Sequence, residues 1–503
     1  MRRAQELELS LAPCPPDCTL QRWLYGELRA AILAGRIAPG RRLPSTRDLA
    51  RQQGISRGTV LAVYEQLTAE GYLAGATGSG TTVTGSLRIP LAPSNSLSAS
   101  ALTPPSGRLS RTGKLFADNP FPLHKASPQA RPFRPNQPDL QVFPLAIWNR
   151  LGQRCSKLMQ PASMAYGDAA GYLPLRQAIA EHLAYAQGIT CQTGQIMIVG
   201  SAQQGLDLCA RLLLDAGDAA LVEDPGYPGA ARIFELTGAR VIDIPVDHAG
   251  LCTEPPLPTA PDIRLAYVTT AHQSPLGATL PVERRLALLD WAERCDACII
   301  EDDYDSEFRF AGTPLSSLKS LDRNGRVIYM GTFSKLLFPS LRLAYVVLPE
   351  WLTEPFAAAV ALTCRHAPVF AQAVLARFIS EGHFARHLRH MRLLYSERAA
   401  ALAHECKTQL ADLLTLLPLT TGLDATAILP AQADDRAVAA ALGEQGIESR
   451  PLSFYRRTQT APPGLILGFS AFTPEEIRQG VAQMLPVLTA ASRASASTGQ
   501  RKT

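Results

Sequence analysis

Apolar residues at helical spacing mark the first element of the chain. They recur every third or fourth position and predict a helix that ends near Gly35. The set comprises Leu20, Leu24, Leu28, Ile32 and Leu33. Ser45 and Ser56 are favourable N-caps for two further helices, over 46–53 and 57–70, each of which is followed by a glycine.

A short hairpin follows these helices. Tyr72, Leu73 and the β-branched run 81–83 flank a glycine-rich turn at 78–80 and predict two strands. Two helices joined by a tight turn, with a hairpin behind them, are typical of an α+β winged helix-turn-helix. We therefore predict this fold for residues 18–84.

The pattern changes twice after this domain. Residues 86–134 contain eight Pro and eight Ser with few aliphatic residues, which predicts a basic, disordered linker over 85–134. From 135 to 490, short β-rich runs alternate with amphipathic helical stretches, a pattern typical of an α/β domain. We expect a disordered tail over 491–503. With two predicted domains of different pattern, the chain as a whole is predicted to be multidomain.

Charge is distributed unevenly between these parts. The net charge is +5, and residues 1–134 hold 17 Lys and Arg against 8 Asp and Glu, which leaves +9 there and −4 in the remainder. A basic first part favours a polyanionic partner such as double-stranded DNA, although ordinary arginine usage on a solvated face is the alternative. The chain has no apolar run long enough to cross a membrane and no signal-peptide pattern, so we expect a cytoplasmic protein without a membrane partner. Its ten cysteines include no paired C-x-x-C motifs, so we predict no metal site.

The third predicted helix carries polar residues in its first turn. Ser56, Arg57 and Thr59 lie in the part of a helix-turn-helix that enters the major groove. An arginine there reads guanine or contacts a phosphate, and the hydroxyls and free N–H groups of the turn suit phosphates. The alternative is a small helical docking domain.

One lysine stands out in the C-terminal part. Of the seven lysines, Lys335 follows a β-rich run in a turn with several hydroxyl residues. A lysine in this setting can form a Schiff base with an aldehyde cofactor. Thr332 and Ser334 offer hydroxyls to a phosphate, and Arg342 offers a bidentate fork. These phosphate ligands argue against the alternative of a merely solvated lysine.

Other polar residues follow further β-rich runs upstream. Asp302 and Tyr304 suit pyridoxal 5′-phosphate (PLP), because the pyridine nitrogen needs a carboxylate partner and the O3′ oxygen favours a phenol. An acidic cluster at a strand end also suits Mg²⁺, but no nucleotide-binding glycine loop accompanies it. Ala202 and Gln203 open a helix whose free N–H groups suit a phosphate, and Tyr227 can stack on a cofactor ring.

These motifs resemble two known families. Residues 43–47, 56–64 and 78–80 resemble a GntR-type winged helix-turn-helix, and the motifs over roughly 135–490 resemble fold-type I PLP-dependent enzymes of the aminotransferase class. The combination resembles the MocR subfamily of GntR transcription regulators.

The resemblance implies roles for individual residues. At the DNA it implies the residues Arg47, Arg57, Thr59 and Gly78. Lys335 would be the Schiff-base lysine, Asp302 would pair with the pyridine nitrogen, Tyr304 with O3′, and Tyr227 would stack on the ring. The implied phosphate ligands are Ala202, Gln203, Thr332 and Arg342. Tyr166 matches a tyrosine that reaches the phosphate from the partner subunit, so the resemblance also implies a homodimer.

Two positions depart from the aminotransferase pattern. Ser274 stands where these enzymes usually have an asparagine that touches O3′, and Ile466 stands where they often have an arginine for the substrate carboxylate. The candidate replacements for that arginine are Arg450, Arg456 and Arg457. Loss of a charge-assisted contact argues for a ligand-sensing domain over an efficient transaminase.

Three functions are open at this point. The favoured one is a DNA-binding transcription regulator whose second domain senses PLP or its adduct with an amino compound. The second is an active PLP-dependent aminotransferase with an accessory DNA-binding domain. A DNA-binding scaffold with an inactive core is disfavoured, because the set of cofactor ligands is complete.

Overall fold

The structure divides the chain into two units. The computed structural model describes residues 11–76, 80–85, 107–118, 131–312, 316–458 and 462–499. The units comprise residues 1–108 and 109–503.

Hydroxyl caps start the helices of the first unit. The side chains of Thr19, Ser45 and Ser56 each accept a hydrogen bond from a backbone N–H in the turn that follows. Gly54 ends the second helix with a φ of 66°, in the left-handed region that favours glycine. The elements are α1 (Leu20–Leu33), α2 (Thr46–Gln53), α3 (Arg57–Ala69), β1 (Leu73–Ala76) and β2 (Gly80–Val83).

The apolar faces of these elements form one core. The buried side chains include Leu24, Leu28 and Ile32 of α1 together with Val60 and Leu67 of α3. Strands β1 and β2 pair antiparallel and form the hairpin. This arrangement confirms the winged helix-turn-helix that the hydrophobic pattern predicts.

The second unit alternates helices with strands. Its helices, several of them amphipathic, cover a large sheet and a smaller one. They are α4 (Arg111–Ala117), α5 (Leu145–Leu158), α6 (Leu173–Ala186), α7 (Ala202–Leu213), α8 (Pro228–Thr237), α9 (Val282–Arg294), α10 (Leu318–Leu321), α11 (Phe333–Leu336), α12 (Thr353–Thr363), α13 (Val369–Ser380), α14 (His383–Gln409), α15 (Asp435–Glu444) and α16 (Pro474–Gly499). Among the described residues no helix combines the length and apolar character needed to span a membrane.

The large sheet of the second unit is mostly parallel. Its strands are β3 (Ile196–Val199), β4 (Ala219–Asp224), β5 (Arg240–Asp247), β6 (Gly250–Leu251), β7 (Ile263–Val268), β8 (Cys298–Asp303), β9 (Val327–Thr332) and β10 (Ala344–Val347). They lie in the order β3-β10-β9-β8-β7-β4-β5-β6. Strands β9, β8, β7, β4 and β5 are mutually parallel, while β10 is antiparallel to both of its neighbours. The central strands are largely buried and mostly apolar because both sheet faces are covered, and β4 and β8 end in acidic residues.

A second, antiparallel sheet lies closer to the C-terminus. Its strands are β11 (Thr415–Leu416), β12 (Asp424–Ile428), β13 (Arg450–Pro451) and β14 (Gly464–Gly468), in the order β11-β12-β14-β13. Together the two sheets give the α/β architecture that the alternating pattern predicts.

Two segments differ from the sequence prediction. The stretch 85–134, predicted as a linker, contains helix α4. Ser110 caps this helix by accepting a hydrogen bond from the Gly113 N–H and so stabilises its start. The disordered tail predicted over 491–503 is wrong for its first part, since α16 continues to Gly499. Alanines at 490, 491, 494 and 496 have high helix propensity and support this continuation.

Candidate functional site

The carboxyl ends of the parallel strands border a cavity of about 310 Å³. Ligand sites in open α/β sheets lie at this end of the strands. Every predicted cofactor residue except Tyr166 lines the cavity, namely Ala202, Gln203, Tyr227, Asp302, Tyr304, Thr332, Ser334, Lys335 and Arg342. The fold therefore brings together motifs that are far apart in the chain.

Asp302 supplies a buried carboxylate at the end of β8. Its Oδ2 accepts a 2.6 Å hydrogen bond from the Tyr267 hydroxyl, whereas its Oδ1 has no hydrogen-bond partner in the part of the chain that the structure describes. Burial raises the pKa of this carboxyl to about 6, and the hydrogen bond from Tyr267 opposes the rise. Because a buried oxygen without a donor is costly, the arrangement suits a ligand with a cationic N–H group.

Lys335 lies on α11, directly after β9. Its Nζ donates a hydrogen bond of 3.2 Å to the Asn136 carbonyl oxygen. Burial lowers the pKa of the ammonium group to about 8, although Asp424 and Asp305 oppose the change. More of this amine is therefore neutral near pH 7 than for an ordinary lysine, and the neutral amine is the nucleophilic form.

The start of α7 forms one wall of the cavity. Ser201 caps this helix and accepts a 3.1 Å hydrogen bond from the Gln204 N–H. The first N–H groups of any α-helix lack intrahelical acceptors and attract anions. Tyr227 donates a 2.9 Å hydrogen bond to the Gln203 side-chain oxygen. Stacking of Tyr227 on a cofactor ring stays a prediction.

Hydroxyl groups and a guanidinium line the same cavity at the end of β9. Thr332 caps α11 by accepting a hydrogen bond from the Ser334 N–H at 3.2 Å. Arg342 adopts a φ of 52°, in the left-handed region that non-glycine residues seldom adopt. These groups and the α7 terminus form a donor set that suits a phosphate.

Tyr304 belongs to a polar cluster beside the carboxylate of Asp302. Its hydroxyl oxygen lies 3.2 Å from Nδ1 of His272, and that nitrogen lies 2.8 Å from Oδ1 of Asp305. Burial raises the pKa of the phenol well above its ordinary value, so Tyr304 stays protonated. Ser274, which stands at the usual asparagine position, also lines the cavity.

Arg450 reaches the cavity from the smaller sheet. In the pairing of β13 with β14 it lies directly opposite Ile466, and such partners project from the same sheet face. Its guanidinium lies 5.2 Å from the centre of the Phe454 ring. The other two candidates, Arg456 and Arg457, do not line this described cavity. Arg450 is thus the candidate anchor for a ligand carboxylate.

Tyr166 lies away from the cavity. Its side chain is 84% exposed, with its ring centre 6.2 Å from that of His366 and 5.7 Å from the Arg365 guanidinium. The structure therefore does not bring Tyr166 to the cofactor residues of its own chain.

The predicted DNA-binding residues lie on one exposed part of the first unit. Arg47, Ser56 and Arg57 are exposed and Thr59 is half-buried. Ser56 and Thr59 hydroxyls lie 2.9 Å apart, and Nε of Arg57 donates to the Thr46 hydroxyl at 3.3 Å. Gly78 lies outside the described residues.

Sequence reasoning missed several residues that line the cavity. Tyr267 lies within β7, and in the sequence it is not distinguishable from the other buried residues of that strand. Asn136 precedes the first helix of the α/β pattern. The polar end of Tyr267 is a weak signal, because a buried phenol needs a hydrogen-bond partner.

Two family models match the chain. The model described as bacterial regulatory proteins, gntR family, matches residues 20–83, and the model of aminotransferase class I and II matches residues 136–482.

Relatives with both parts cover almost the whole chain. The probable rhizopine catabolism regulatory protein MocR of Rhizobium meliloti is 39% identical over 92% of this chain and 93% of its own. The HTH-type pyridoxine biosynthesis transcriptional regulator PdxR of Corynebacterium glutamicum is 32% identical over 95% of this chain and 98% of its own. The crystal structure of Pyrococcus horikoshii kynurenine aminotransferase in complex with PMP superposes with a TM-score of 0.66 at 26% identity, covering 76% of this chain and 95% of the enzyme.

Proposed function

The chain belongs to the MocR-type GntR regulators, and on that premise we propose that it binds PLP in the described cavity. We further propose that PLP, or its adduct with an amino compound, controls how the protein binds an operator in double-stranded DNA. The observation that carries the proposal is the buried Oδ1 of Asp302, which lacks a donor in the described part of the chain.

The residues of the cavity fit each part of PLP. Asp302 would accept a hydrogen bond from the pyridine N–H, and Tyr304 would donate one to O3′. The first turn of α7, with Ala202 and Gln203, would hold the phosphate. The further phosphate ligands would be Thr332, Ser334 and Arg342. When bound, PLP supplies an electrophilic aldehyde carbon attached to an electron-withdrawing ring.

Lys335 is the residue proposed to bond covalently to the cofactor. Its lowered pKa, about 8, supports this role because a substantial neutral fraction exists at physiological pH. The carbonyl of Asn136 holds Nζ at the cavity wall.

Arg450 supports an amino compound with a carboxylate as the effector. Its guanidinium lines the cavity on the side of the smaller sheet and offers a fork for two carboxylate oxygens. An amino acid that displaced Lys335 from the cofactor could then bind the Arg450 guanidinium through its carboxylate.

A homodimer is part of the proposal. The cavity lacks Tyr166 of its own chain, and the exposed position of that phenol leaves it available to the cavity of a second copy. A symmetric dimer would bind paired operator half-sites. An effector that binds one arrangement of the dimer better than another shifts the equilibrium between them.

The central experiment combines spectroscopy with footprinting. Full-length protein with PLP should develop a visible absorption band, which Lys335→Ala abolishes and the exposed-lysine control Lys157→Ala retains. DNase footprinting of the adjacent intergenic region should give a protected site whose affinity changes with PLP in the wild type but not in Lys335→Ala. A wild type that stays colourless, or a footprint indifferent to PLP, would contradict the proposal.

A second candidate function is a working aminotransferase with an accessory DNA-binding domain. The presence of Lys335, Asp302 and Arg450 in one cavity favours it. Multiple-turnover transamination at about 1 s⁻¹ or faster, within the ordinary range for enzymes, would support this candidate. A single half-reaction that stops after one equivalent would support the sensor.

A further inference from the structure

His272 and Asp305 form a buried histidine–carboxylate pair that contacts Tyr304. Nδ1 of His272 lies 2.8 Å from Oδ1 and 3.0 Å from Oδ2 of Asp305. The same nitrogen lies 3.2 Å from the Tyr304 hydroxyl oxygen, and the His272 and Tyr304 rings stack with their centres 5.7 Å apart. None of the roles assigned so far uses this pair.

Glycine residues hold the His272 ring in place. A Cβ on Gly422 would lie 2.3 Å from Cε1 of His272 and 2.7 Å from Oδ2 of Asp305, and a Cβ on Gly277 would lie 3.3 Å from Nε2. Both glycines have a positive φ, 90° and 77°. The close approach of the backbone on two sides leaves the ring little freedom to turn away from Asp305.

The hydrogen-bonding capacities of these groups determine the direction of the Tyr304 hydroxyl. An ionised carboxylate can only accept, so Nδ1 carries the hydrogen that is shared with Asp305. A protonated Nδ1 has no lone pair, so it cannot accept a hydrogen bond from the Tyr304 hydroxyl. Between these two groups, Nδ1 is therefore the donor and the phenol oxygen is the acceptor. Ser274 also lines the cavity, and it opposes the rise in the phenol pKa caused by burial. The Tyr304 hydrogen is therefore directed away from His272, which leaves it free to point toward the cavity that Tyr304 lines.

We propose that His272, oriented by Asp305, is a positioning residue that makes Tyr304 a hydrogen-bond donor toward the cavity, where it would meet O3′ of the cofactor. This inference rests on the proposed PLP site and extends it to the control of the cofactor's protonation. A donor at O3′ stabilises the ionised oxygen. The pH midpoint at which the visible band of bound PLP changes should therefore be lower with the donor than without it.

Two substitutions of His272 form a matched pair. By bond count, the amide nitrogen of asparagine takes the place of Nδ1, whereas that of glutamine takes the place of Nε2. His272→Asn thus keeps a donor beside Tyr304, and His272→Gln removes it while keeping a polar side chain of similar size. Circular dichroism and PLP binding by equilibrium dialysis establish that each variant is folded and loaded.

The decisive measurement is a spectroscopic pH titration in two backgrounds. We expect His272→Gln to raise the midpoint by about one pH unit, the effect of a hydrogen bond to a charged oxygen, and His272→Asn to stay near the wild-type value. In a Tyr304→Phe background, which itself raises the midpoint, His272→Gln should add nothing. The other charges facing this cluster come from Asp302, Asp424, Arg309 and Lys335, and they are the same in all the proteins compared.

The outcomes separate the two proposals. A coloured wild type whose midpoint His272→Gln leaves unchanged, or shifts equally in both backgrounds, would overturn the positioning role and leave the PLP site intact. Equal shifts in His272→Gln and His272→Asn would likewise overturn it. A wild type that binds no PLP would refute the proposed function and this inference with it.

Discussion

Replacement of Asp302 by asparagine should stabilise the folded protein without PLP while it weakens PLP binding. The carboxylate is buried, and one of its oxygens lacks a donor in the described part of the chain. An amide in its place removes the buried charge and can still accept the hydrogen bond from Tyr267. The same amide cannot balance a protonated pyridine ring, so the cofactor loses its charged partner.

The size of the effect follows from the pKa. The rise from 3.8 to about 6, at about 1.4 kcal/mol per pKa unit, implies that ionised Asp302 costs the folded state roughly 3 kcal/mol at pH 7. Because the pKa is raised, this cost is present above about pH 6 and disappears below about pH 4, where the carboxyl group is protonated in both the folded and the unfolded states. The stabilisation by Asp302→Asn should therefore be about 2–3 kcal/mol at pH 7 and about half of that at pH 5.

Urea unfolding of the full-length protein without PLP, followed by tryptophan fluorescence at the two pH values, measures this difference. Asp290→Asn, at an exposed position where the carboxylate pairs with Arg294, serves as the control and should change stability little at either pH. PLP affinity should fall at least tenfold in Asp302→Asn, which corresponds to the loss of one charge-assisted hydrogen bond. A variant less stable than the wild type at pH 7, or a difference that does not change with pH, would refute the reasoning.

Three further outcomes test other parts of the molecule. The rate of PLP capture should rise about tenfold per pH unit up to about pH 8 and then level off, because only neutral Lys335 reacts; a flat profile from pH 6 to 9 in stopped-flow absorbance would contradict this. Arg450→Gln should weaken the response to carboxylate-bearing amino compounds about tenfold and leave PLP affinity unchanged, as spectral titration with amino acids and the corresponding amines will reveal. Arg57→Ala should weaken operator binding about 10- to 100-fold in a gel-shift assay, whereas PLP binding stays intact; the exposed Arg51→Ala is the control, and equal losses would contradict the assigned role.

The sequence was informative wherever function resides in a short motif. Asp302 and Tyr304 are two residues apart, and Thr332 and Lys335 are three apart, so strand pattern and residue chemistry together identify them. The helical repeat of leucines and the two serine caps likewise determine the first unit, because capping and amphipathicity depend on near neighbours. The prediction of a disordered tail over 491–503 was wrong for its first part, because a weakly polar, alanine-rich sequence is compatible both with disorder and with the continuation of a helix.

The sequence by itself determined the order of the elements, the GntR-type and aminotransferase-class motifs, and Lys335 as the residue that can attack an aldehyde. The tertiary structure alone decided which partners surround them. Tyr267 donates a hydrogen bond to Asp302, His272 contacts both Asp305 and Tyr304, and Arg450 pairs with Ile466 across two strands. These contacts join residues that are distant in the chain but meet where parallel strands end or where two strands pair. Local pattern records the backbone preference of each segment, whereas such meetings depend on sheet order and register, which arise only when the whole core packs.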